Sequence, residues 1–399
     1  MTKSQDSVFS EILGTIKSCL PLESEEFNLH EPLFCGREWE YVKECLDTGW
    51  VSSVGKYVDK FERMLEDYTG SRKAIAVVNG TAAMHVCLKL AGVEVGDEVM
   101  MPALTFIATA NAVSYCGAVP HFIDSDFATM GLSPNKLDDR LREIARIESN
   151  QCVNRITGRR IKAVVPVHTF GHPVEIDSLI DICKKYSLTL IEDAAESLGS
   201  FYKNKHTGTF GLFGVLSFNG NKIVTTGGGG AILTNDEDLG KLAKHITTTA
   251  KLPHRWAFVH DRVAFNYRMP NINAAIGCAQ IEQLPVFLGN KRNLAEKYKK
   301  AFDRNKYALF ASEPSETRSN YWLNTIKLLE PYAKMRDHLL DFLHDHGVKA
   351  RPPWQLMNML QMYRDCPRDD LTNSELICAS CVNIPSGAEL AKNSQIAGE

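Results

Sequence analysis

One lysine stands between an apolar stretch and a run of glycines, and an acidic pair ends another apolar stretch upstream of it. Lys222 lies in the run Ser217-Phe-Asn-Gly-Asn-Lys222, and four glycines begin at Gly227. Asp193 closes the run that starts at Leu188. A shielded lysine amine can hold an aldehyde covalently, and a carboxylate can keep a pyridine nitrogen protonated. These two groups are what pyridoxal phosphate (PLP) chemistry requires, so the pattern predicts a PLP site with Lys222 at its centre.

A phosphate-binding turn is predicted where an apolar stretch, Ala74–Val78, meets the sequence Asn79-Gly80-Thr81-Ala-Ala. At a strand-to-helix turn the first N–H groups have no acceptor in the helix, and the helix dipole favours an anion. Glycine also lets the backbone approach a phosphate closely. A Gly-Thr start is equally typical of an ordinary helix cap. The Ser217 hydroxyl is a further candidate for phosphate contact.

Other parts of a cofactor site are predicted near the ends of apolar stretches. Phe106 follows the stretch ending at Pro102 and could stack on the cofactor ring, although a place in the core is the commoner role for phenylalanine. Asp193 lies at the carboxyl end of its stretch, where α/β folds place ligands. Its neighbour Glu192 could serve instead, or both acids could cap the next turn. Glu196 could hydrogen-bond the 3-oxygen of the ring.

The elements that position these residues alternate between short apolar strands and amphipathic helices. Alternation of this kind predicts an α/β fold with a mostly parallel sheet covered on both faces. The predicted strands are 74–78, 98–101, 119–123, 163–167, 188–191, 214–218 and 231–234. Two more strands, 320–328 and 348–351, are predicted after the regular alternation of strands and helices has ended. An Arg-rich segment, 148–160, interrupts this alternation of strands and helices and is predicted to be an insertion.

The pattern of predicted helices and strands divides the 399 residues into four parts. We expect an N-terminal arm over residues 1–28, a large PLP-binding α/β domain over 29–270, a connecting helix over 271–314, and a small C-terminal α+β domain over 315–399. The helical pattern from 271 to about 304 would join the two domains.

Composition excludes several classes of protein. The net charge of −3 gives no reason to expect nucleic acid as a partner, and no apolar run is long enough to span a bilayer. Cytoplasmic location is therefore expected. The eleven cysteines are an odd number scattered in apolar stretches, which favours reduced thiols over a disulfide framework. The one CxxC, Cys378 to Cys381, lacks a second pair, so we expect no metal.

These motifs in this order resemble the DegT/StrS-type sugar-nucleotide aminotransferases, which are fold-type I PLP enzymes. The resemblance covers about residues 30–390. It implies that Lys222 is the catalytic lysine that binds PLP, that pyridoxamine phosphate arises during turnover, and that members act as homodimers with shared active sites. The cofactor-binding residues that it implies are Gly80, Thr81, Phe106, Asp193, Glu196, Ser217 and Lys222, with Asn266 and Arg268 contributed from the partner subunit. Many members carry glutamine or histidine where this chain has Glu196.

Within the family, the stretches 48–55, 198–203, 218–221 and 351–352 resemble enzymes that aminate C4 of UDP-2-acetamido-2,6-dideoxy-4-keto-hexoses. The resemblance implies L-glutamate as amino donor and a role in bacterial surface polysaccharide or glycan biosynthesis. Related dehydratases replace the lysine with histidine, so Lys222 favours a transaminase. A GDP- or dTDP-linked keto sugar is the alternative substrate. A non-catalytic PLP-fold regulator is a further alternative, which the intact lysine and aspartate disfavour.

Further residues are candidates for substrate contact. Three arginines of the insertion, Arg155, Arg159 and Arg160, could clamp a diphosphate, because the planar guanidinium suits phosphate, or could lie in a solvated loop. The remaining substrate-site candidates, each with a structural role as the alternative, are Trp50, His168, Tyr321 and Arg351.

Overall fold

A computed structural model gives the fold and describes residues 5–391. The helices of this range are α1 (Gln5–Lys17), α2 (Glu38–Thr48), α3 (Lys56–Thr69), α4 (Gly80–Leu90), α5 (Ile107–Tyr115), α6 (Pro134–Ile144), α7 (Ile176–Lys185), α8 (Glu237–Thr247), α9 (Asn271–Phe302), α10 (Arg336–Asp345) and α11 (Thr372–Ser380). The strands are β1 (Lys73–Val77), β2 (Glu98–Pro102), β3 (Val119–Ile123), β4 (Ala145–Glu148), β5 (Gln151–Asn154), β6 (Arg160–Val164), β7 (Thr189–Asp193), β8 (Phe201–Tyr202), β9 (Lys205–His206), β10 (Phe213–Ser217), β11 (Gly230–Thr234), β12 (Ala308–Phe310), β13 (Thr317–Arg318), β14 (Asn324–Leu328) and β15 (Cys381–Ile384). Residues 1–4 and 392–399, at the ends of the predicted arm and the predicted small domain, lie outside the described range.

A large central sheet organises the chain. Its main path runs in the order β1-β11-β10-β7-β6-β2-β3, and the hairpin β4–β5 joins it beside β6. The strands from β10 to β3 along this path pair in parallel, whereas β11 is antiparallel to both β1 and β10. The prediction of a mostly parallel sheet is therefore confirmed. Every residue of β2 and β11 is buried, as expected for strands covered on both faces.

Helices cover the two faces of this sheet. On one face, α4, α5 and α8 pack on the strands through residues such as Val86, Ala110 and Ala243. On the other, α3 and α9 pack through residues such as Phe61 and Cys278. Because β1, β7 and β10 and also β2 end at one edge of the sheet, the residues that follow them converge there. Within residues 5–391, no helix combines the length and the apolar character needed to cross a bilayer.

A second, antiparallel sheet of β12, β14 and β15 lies beyond the long helix α9. The segment predicted as an arm contributes α1, whose Phe9 and Ile12 are buried with Tyr298 of α9 and Leu343 of α10. Burying this apolar face stabilises α1 against the chain, so the segment is a packed helix rather than a free extension. Phe27 forms a single bridge to Val348 in the same region.

Three sequence predictions differ from the fold. The predicted strand 348–351 is not a strand, because Val348 and Arg351 make only isolated bridges to different partners. The predicted strand 320–328 begins at Asn324, since the chain turns at Tyr321, which has φ 48°. The predicted insertion 148–160 is mostly the hairpin β4–β5, whose turn has positive φ at Ser149 and Asn150.

Candidate active site

Lys222 lies in the turn after β10, at the sheet edge where the parallel strands end. Its Nζ is 3.5 Å from Glu196 Oε1 and 3.8 Å from the centre of the Trp322 ring, and 13% of its side chain is exposed. The Trp322 indole N–H donates to the Asn221 carbonyl at 2.7 Å, which fixes this wall beside the lysine. Burial lowers the pKa of Lys222, while the negative charges of Glu196 and Asp193 oppose that shift. The amine is therefore shielded from water and closer to its neutral form than an exposed lysine.

Asp193 ends β7 and faces the same cavity. Its Oδ2 accepts a hydrogen bond from the Thr109 hydroxyl at 2.7 Å, and its Oδ1 accepts one from the Ala195 N–H at 3.2 Å. These two donors hold the carboxylate in position in the cavity wall. A carboxylate held in this way can pair with a cationic ring nitrogen.

The neighbouring acid, Glu192, points to the opposite face of the strand because side chains alternate along it. It accepts backbone N–H hydrogen bonds from Gly208, Phe210 and Gly211 at 2.7 to 2.8 Å. It also contacts His168 Nε2 at 3.1 Å. Burial alone would raise the pKa of Glu192, but these hydrogen bonds leave it below its ordinary value. Glu192 is thus a structural acid, and the sequence prediction left this choice open.

The predicted phosphate turn occupies the N-terminus of α4. Asn79 caps the helix, and its side chain accepts from the Ala82 N–H at 2.8 Å. The first N–H groups of an α-helix have no intrahelical acceptor, so those of Gly80 and Thr81 are available to an anion. A Cβ on Gly80 would lie 3.2 Å from the Cβ of Ser217, so a side chain there would press on the strand opposite. Glycine keeps this turn close to Ser217 and open to a ligand.

Phe106 precedes α5 and forms another wall of the cavity. It is 53% exposed, and its ring centre lies 6.4 Å from that of Trp354. A phenylalanine of the core would be buried, so the core interpretation is wrong for this residue. Its ring is a free flat surface in a cavity of otherwise mixed polarity.

Glu196 lies beside the lysine and is buried. Its Oε2 accepts from the Phe170 N–H at 2.9 Å, and its Oε1 faces Lys222. Burial raises the pKa of Glu196, and the positive charges of Lys222 and Arg351 oppose this shift. Its carboxyl group is therefore anchored by one oxygen and presents the other to the cavity.

These residues enclose one cavity of about 390 Å³. The wall comprises residues 79–81, 84, 105, 106, 108, 109, 167, 193, 195, 196, 215, 217, 219, 221, 222, 229, 322, 351 and 354. The set contains the Lys222 amine, the carboxylates of Asp193 and Glu196, an exposed aromatic ring, and a helix N-terminus that lies beside the hydroxyl of Ser217. That combination of donors fits PLP, because each polar part of the cofactor meets a group of complementary charge.

Other predicted residues lie away from this wall. His168 is buried against Glu192, and its Nδ1 accepts from the Val174 N–H at 3.3 Å, so its contacts are structural. The Tyr321 hydroxyl accepts from the Glu313 N–H at 3.0 Å, and its ring packs edge-on against the ring of His172. Neither residue lines the cavity of this chain, and the two substrate-contact predictions stay untested.

Trp50 and the 266–268 segment also lie outside the cavity wall of their own chain. Trp50 is 57% exposed and borders a separate cavity. Arg268 Nε donates to Asn266 Oδ1 at 3.3 Å, and both side chains are exposed at this contact. The backbone of this segment lies beside the phosphate turn, since the Val78 N–H donates to the Tyr267 carbonyl at 2.9 Å. Arg351, by contrast, lies on the cavity wall, and its predicted contact with substrate stays a prediction.

The arginines of the hairpin lie at the opposite end of the sheet. Arg160 pairs with Asp97, just before β2, through two contacts of 2.8 and 2.6 Å. Arg155 donates to the carbonyls of Arg142 and Ala145. The diphosphate-clamp interpretation is therefore wrong for the cavity of this chain.

The wall residues that sequence reasoning missed include Thr109, Trp322 and Trp354. Thr109 lies three residues after Phe106. A helix predicted from Phe106 onward would have placed the two residues on the same side of that helix. Trp354 follows Arg351 by three residues, and Trp322 adjoins the predicted Tyr321. Which of two adjacent aromatic residues faces the cavity depends on the turn at residue 321.

Comparisons with known proteins identify the family of the chain. The model of the DegT/DnrJ/EryC1/StrS aminotransferase family matches residues 35–397. The chain is 36% identical to a GDP-perosamine synthase of Caulobacter vibrioides over 362 residues, which are 90% of this chain and 93% of that protein. It is 35% identical to a putative pyridoxal phosphate-dependent aminotransferase, EpsN, of Bacillus subtilis over 374 residues, 92% of each chain.

Among solved structures, Helicobacter pylori PseC, an aminotransferase involved in the biosynthesis of pseudoaminic acid, superposes with a TM-score of 0.82 at 26% identity. The match covers 92% of this chain and 95% of that one. The predicted fold-type I architecture and the PLP cofactor are thereby confirmed, as is the enzyme class, a PLP-dependent sugar aminotransferase. The chain belongs to the DegT/DnrJ/EryC1/StrS aminotransferase family.

Proposed function

We propose that this aminotransferase moves the amino group of L-glutamate to C4 of UDP-2-acetamido-2,6-dideoxy-4-keto-hexose. The observation that carries the transaminase assignment is the shielded Lys222 amine, set between Glu196 and the Trp322 ring in the cavity that Asp193 also faces. The UDP-linked substrate rests on the resemblance of the four short stretches. The synthase of Caulobacter vibrioides favours a GDP-linked keto sugar as the second candidate.

PLP, when bound, supplies an aldehyde that can carry an amino group and a ring that withdraws electrons from the reacting carbon. Lys222 would hold the aldehyde end, Asp193 would pair with the ring nitrogen, and Phe106 would stack on the ring. The N–H groups of Gly80 and Thr81 and the hydroxyls of Thr81 and Ser217 would hold the phosphate. Glu196 would contact the oxygen on the ring.

Proton transfer is the task of the Lys222 amine once the donor has displaced it. Its Nζ removes the α-proton of glutamate, and in the second half-reaction it returns a proton to C4 of the sugar. A lysine acts as a base near neutral pH only when its pKa is lowered, and burial lowers it here. Trp322 excludes water from one side of the amine, which keeps the proton available for transfer to carbon.

A panel of keto sugars tests the substrate. Cofactor-loaded protein is incubated with glutamate and with UDP-, GDP- and dTDP-linked 4-keto-6-deoxy hexoses, and the amino sugar product is quantified. We expect kcat/KM for the UDP-linked acetamido sugar to exceed the others by at least about tenfold, because unmatched polar groups in a site are costly. The highest value for the GDP-linked sugar would establish the second candidate instead. No amination of any keto sugar would refute the function.

A homodimer with shared sites is also proposed, since Asn266 and Arg268 lie outside their own chain's cavity wall. Mixing Lys222→Ala with Arg268→Ala chains tests it, because a mixed dimer contains one site with both residues intact. We expect the mixture to recover about a quarter of the wild-type activity, since half of the dimers are mixed and each has one complete site. Two inactive parents whose mixture stays inactive would contradict sharing. Cytoplasmic location and a role in surface glycan synthesis stay predictions.

A further inference from the structure

Lys291, in α9, is the only fully buried lysine among residues 5–391. Its Nζ donates to the carbonyl of Trp322 at 3.2 Å and to the carbonyl of Ser386. Within the described part of the chain, neither carbonyl accepts another hydrogen bond. Burial lowers the pKa of Lys291 to about 7, whereas the charge of Glu389 opposes that shift. This amine lies outside the cavity wall, and none of the roles proposed for the active site uses it.

The turn that carries Trp322 has a conformation that its surroundings must hold. Tyr321 has φ 48°, which residues other than glycine adopt rarely and only where neighbouring groups fix the chain. The side-chain N–H₂ of Asn320 donates to two carbonyls of the segment that follows β7, both at 2.9 Å. Lys291 holds the other end of the turn through the Trp322 carbonyl. The position of residue 322 therefore depends on donors from two directions.

The Trp322 ring connects this turn with the chemistry of the cavity. The Nζ of Lys222 lies 3.8 Å from the centre of the ring, and the indole N–H donates to the Asn221 carbonyl at 2.7 Å. Because the carbonyl and the ring belong to one residue, a shift of the backbone at Trp322 also moves the ring relative to Lys222. A misplacement of about 1 Å in a catalytic site can lower a rate by about a hundredfold.

We propose that Lys291 is a positioning residue for transamination, which holds the Trp322 indole against the Lys222 amine by tying residue 322 to α9 and to the segment after β15. The inference rests on the proposed function, because it assumes that Lys222 is the base that moves the proton. Lys291 reaches neither cofactor nor substrate, so its effect on the reaction passes through Trp322.

The test variant is Lys291→Met, which keeps an unbranched side chain of similar length but removes the donors from two buried carbonyls. The matched control is Tyr298→Phe. Tyr298 is also fully buried on α9, and its hydroxyl donates to the carbonyl of Pro385 at 3.1 Å, next to Ser386. Within the described range it has no hydrogen bond to the Trp322 turn. Both variants remove a buried donor from α9, so both should lower the urea midpoint of unfolding.

The kinetic test uses the donor half-reaction of cofactor-loaded protein with L-glutamate, followed in single turnover by the decay of the cofactor's absorbance. We expect Lys291→Met to lower the limiting rate constant by about ten- to a hundredfold, because the wall beside the base is displaced. The glutamate concentration that gives half of the limiting rate should stay within about threefold, since substrate contacts are kept. Tyr298→Phe should leave both values within about twofold of the wild type.

A double-mutant cycle tests whether Lys291 acts through the indole. Trp322→Phe removes the indole N–H and part of the ring that faces Lys222. In that background Lys291→Met should lower the rate by no more than about threefold further, because the effects of residues that act on one contact are not additive.

Hydroxylamine gives a readout that needs neither amino donor nor sugar. This small nucleophile displaces the cofactor from Lys222, and the loss of the absorbance band measures how open the wall is. We expect Lys291→Met to lose the band severalfold faster than the wild type and Tyr298→Phe to lose it at the wild-type rate. If the proposed function fails, the wild-type protein aminates no keto sugar, and the hydroxylamine comparison is still read.

Lys291→Gln serves as a second variant should Lys291→Met not fold, because its amide keeps two N–H donors on a shorter chain. Its losses should be smaller but follow the same pattern. Any of four results would overturn the inference. These are a wild-type limiting rate in the Lys291 variant, the same kinetic loss in Tyr298→Phe, losses from Lys291 and Trp322 that multiply in full, and an unchanged rate with hydroxylamine.

Discussion

The two ends of the central sheet both bury charged side chains, but they differ in how completely those charges are paired within the chain. At the end where the parallel strands begin, the Glu98 carboxylate accepts hydrogen bonds from His121, Asn154 and Thr157 at 2.6 to 2.9 Å. Arg160 pairs with Asp97 beside it. The chain itself supplies a partner for each of these charges, as expected for groups that only stabilise a fold.

At the carboxyl end of the strands the charges are oriented by the chain but left open to the cavity. Asp193 is held by one hydroxyl and one N–H, and Lys222 faces Glu196 at 3.5 Å. Arg351 has aromatic rings in place of a carboxylate within the described residues. Incomplete pairing of buried charge thus distinguishes the candidate site from the structural end of the sheet, where pairing is complete.

The largest expected effect comes from removing the lysine. Lys222→Ala should lower transamination by roughly a thousandfold or more, because both the covalent anchor and the base are lost. The free energy of unfolding should not fall, since a desolvated amine is removed from the cavity. Turnover measures the loss of transamination, the cofactor absorbance band reports the covalent anchor, and urea unfolding gives the stability. An unchanged absorbance band would show that another residue anchors the cofactor.

The second prediction compares two adjacent carboxylates. Asp193→Asn should lower kcat by about a hundredfold or more while leaving the melting temperature near that of the wild type, because the amide cannot hold a ring nitrogen in its charged form. Steady-state kinetics and thermal unfolding measure both effects.

The control for this prediction is Glu192→Gln, which makes the same chemical change one residue earlier. It should destabilise the fold by about 2 to 4 kcal/mol, since an amide N–H₂ would face backbone N–H donors. A kinetic defect in a fully stable Glu192→Gln protein would contradict the division of roles between the two acids.

The third prediction addresses the structural end of the sheet. Burial would raise the pKa of Glu98, but hydrogen bonds from His121, Thr157 and Asn154 leave it lower than its ordinary value. A carboxyl group with a lowered folded pKa adds stability above its unfolded pKa and loses it as the pH falls through the folded value. Glu98→Gln should therefore cost about 2 to 3 kcal/mol at pH 7, with kcat unchanged.

Urea unfolding at pH 7 and at pH values below the unfolded pKa of 4.5 checks this account. The difference between wild type and Glu98→Gln should shrink on acidification, because the wild-type carboxyl group is then protonated as well. A difference that stays constant with pH would show that packing, and not charge, carries the contribution of Glu98.

The sequence predicts the site better than it predicts the chain around it. Lys222, Asp193 and Phe106 follow strands whose apolar runs are unmistakable, and parallel strands bring their ends together without further information. The sequence does not reveal that His168 and Tyr321 lie off the cavity wall, because that placement depends on tertiary contacts, with Glu192 for the histidine and with the Glu313 N–H for the tyrosine. The pairing of Arg160 with Asp97 is likewise a tertiary contact that composition cannot reveal.

The smallest expected effect concerns Glu196, whose Oε1 lies 3.5 Å from the Lys222 amine. The negative charge of Glu196 raises the pKa of Lys222 against the lowering by burial. Glu196→Gln removes that charge, so the pKa of Lys222 should fall further and the amine should stay unprotonated at lower pH. The glutamine carbonyl can still accept from the Phe170 N–H, so the side chain keeps its position.

The measurement is kcat of the donor half-reaction against pH for wild type and Glu196→Gln. Because the base form of Lys222 is required, the acid limb of the profile should move to lower pH, by about one pH unit or less, with at most a severalfold change at neutral pH. Disappearance of the acid limb would mean that Glu196, and not Lys222, titrates in this range. An unmoved limb with a reduced plateau would instead assign Glu196 to holding the cofactor ring. Either result would show that the charge of Glu196 does not set the pKa of Lys222.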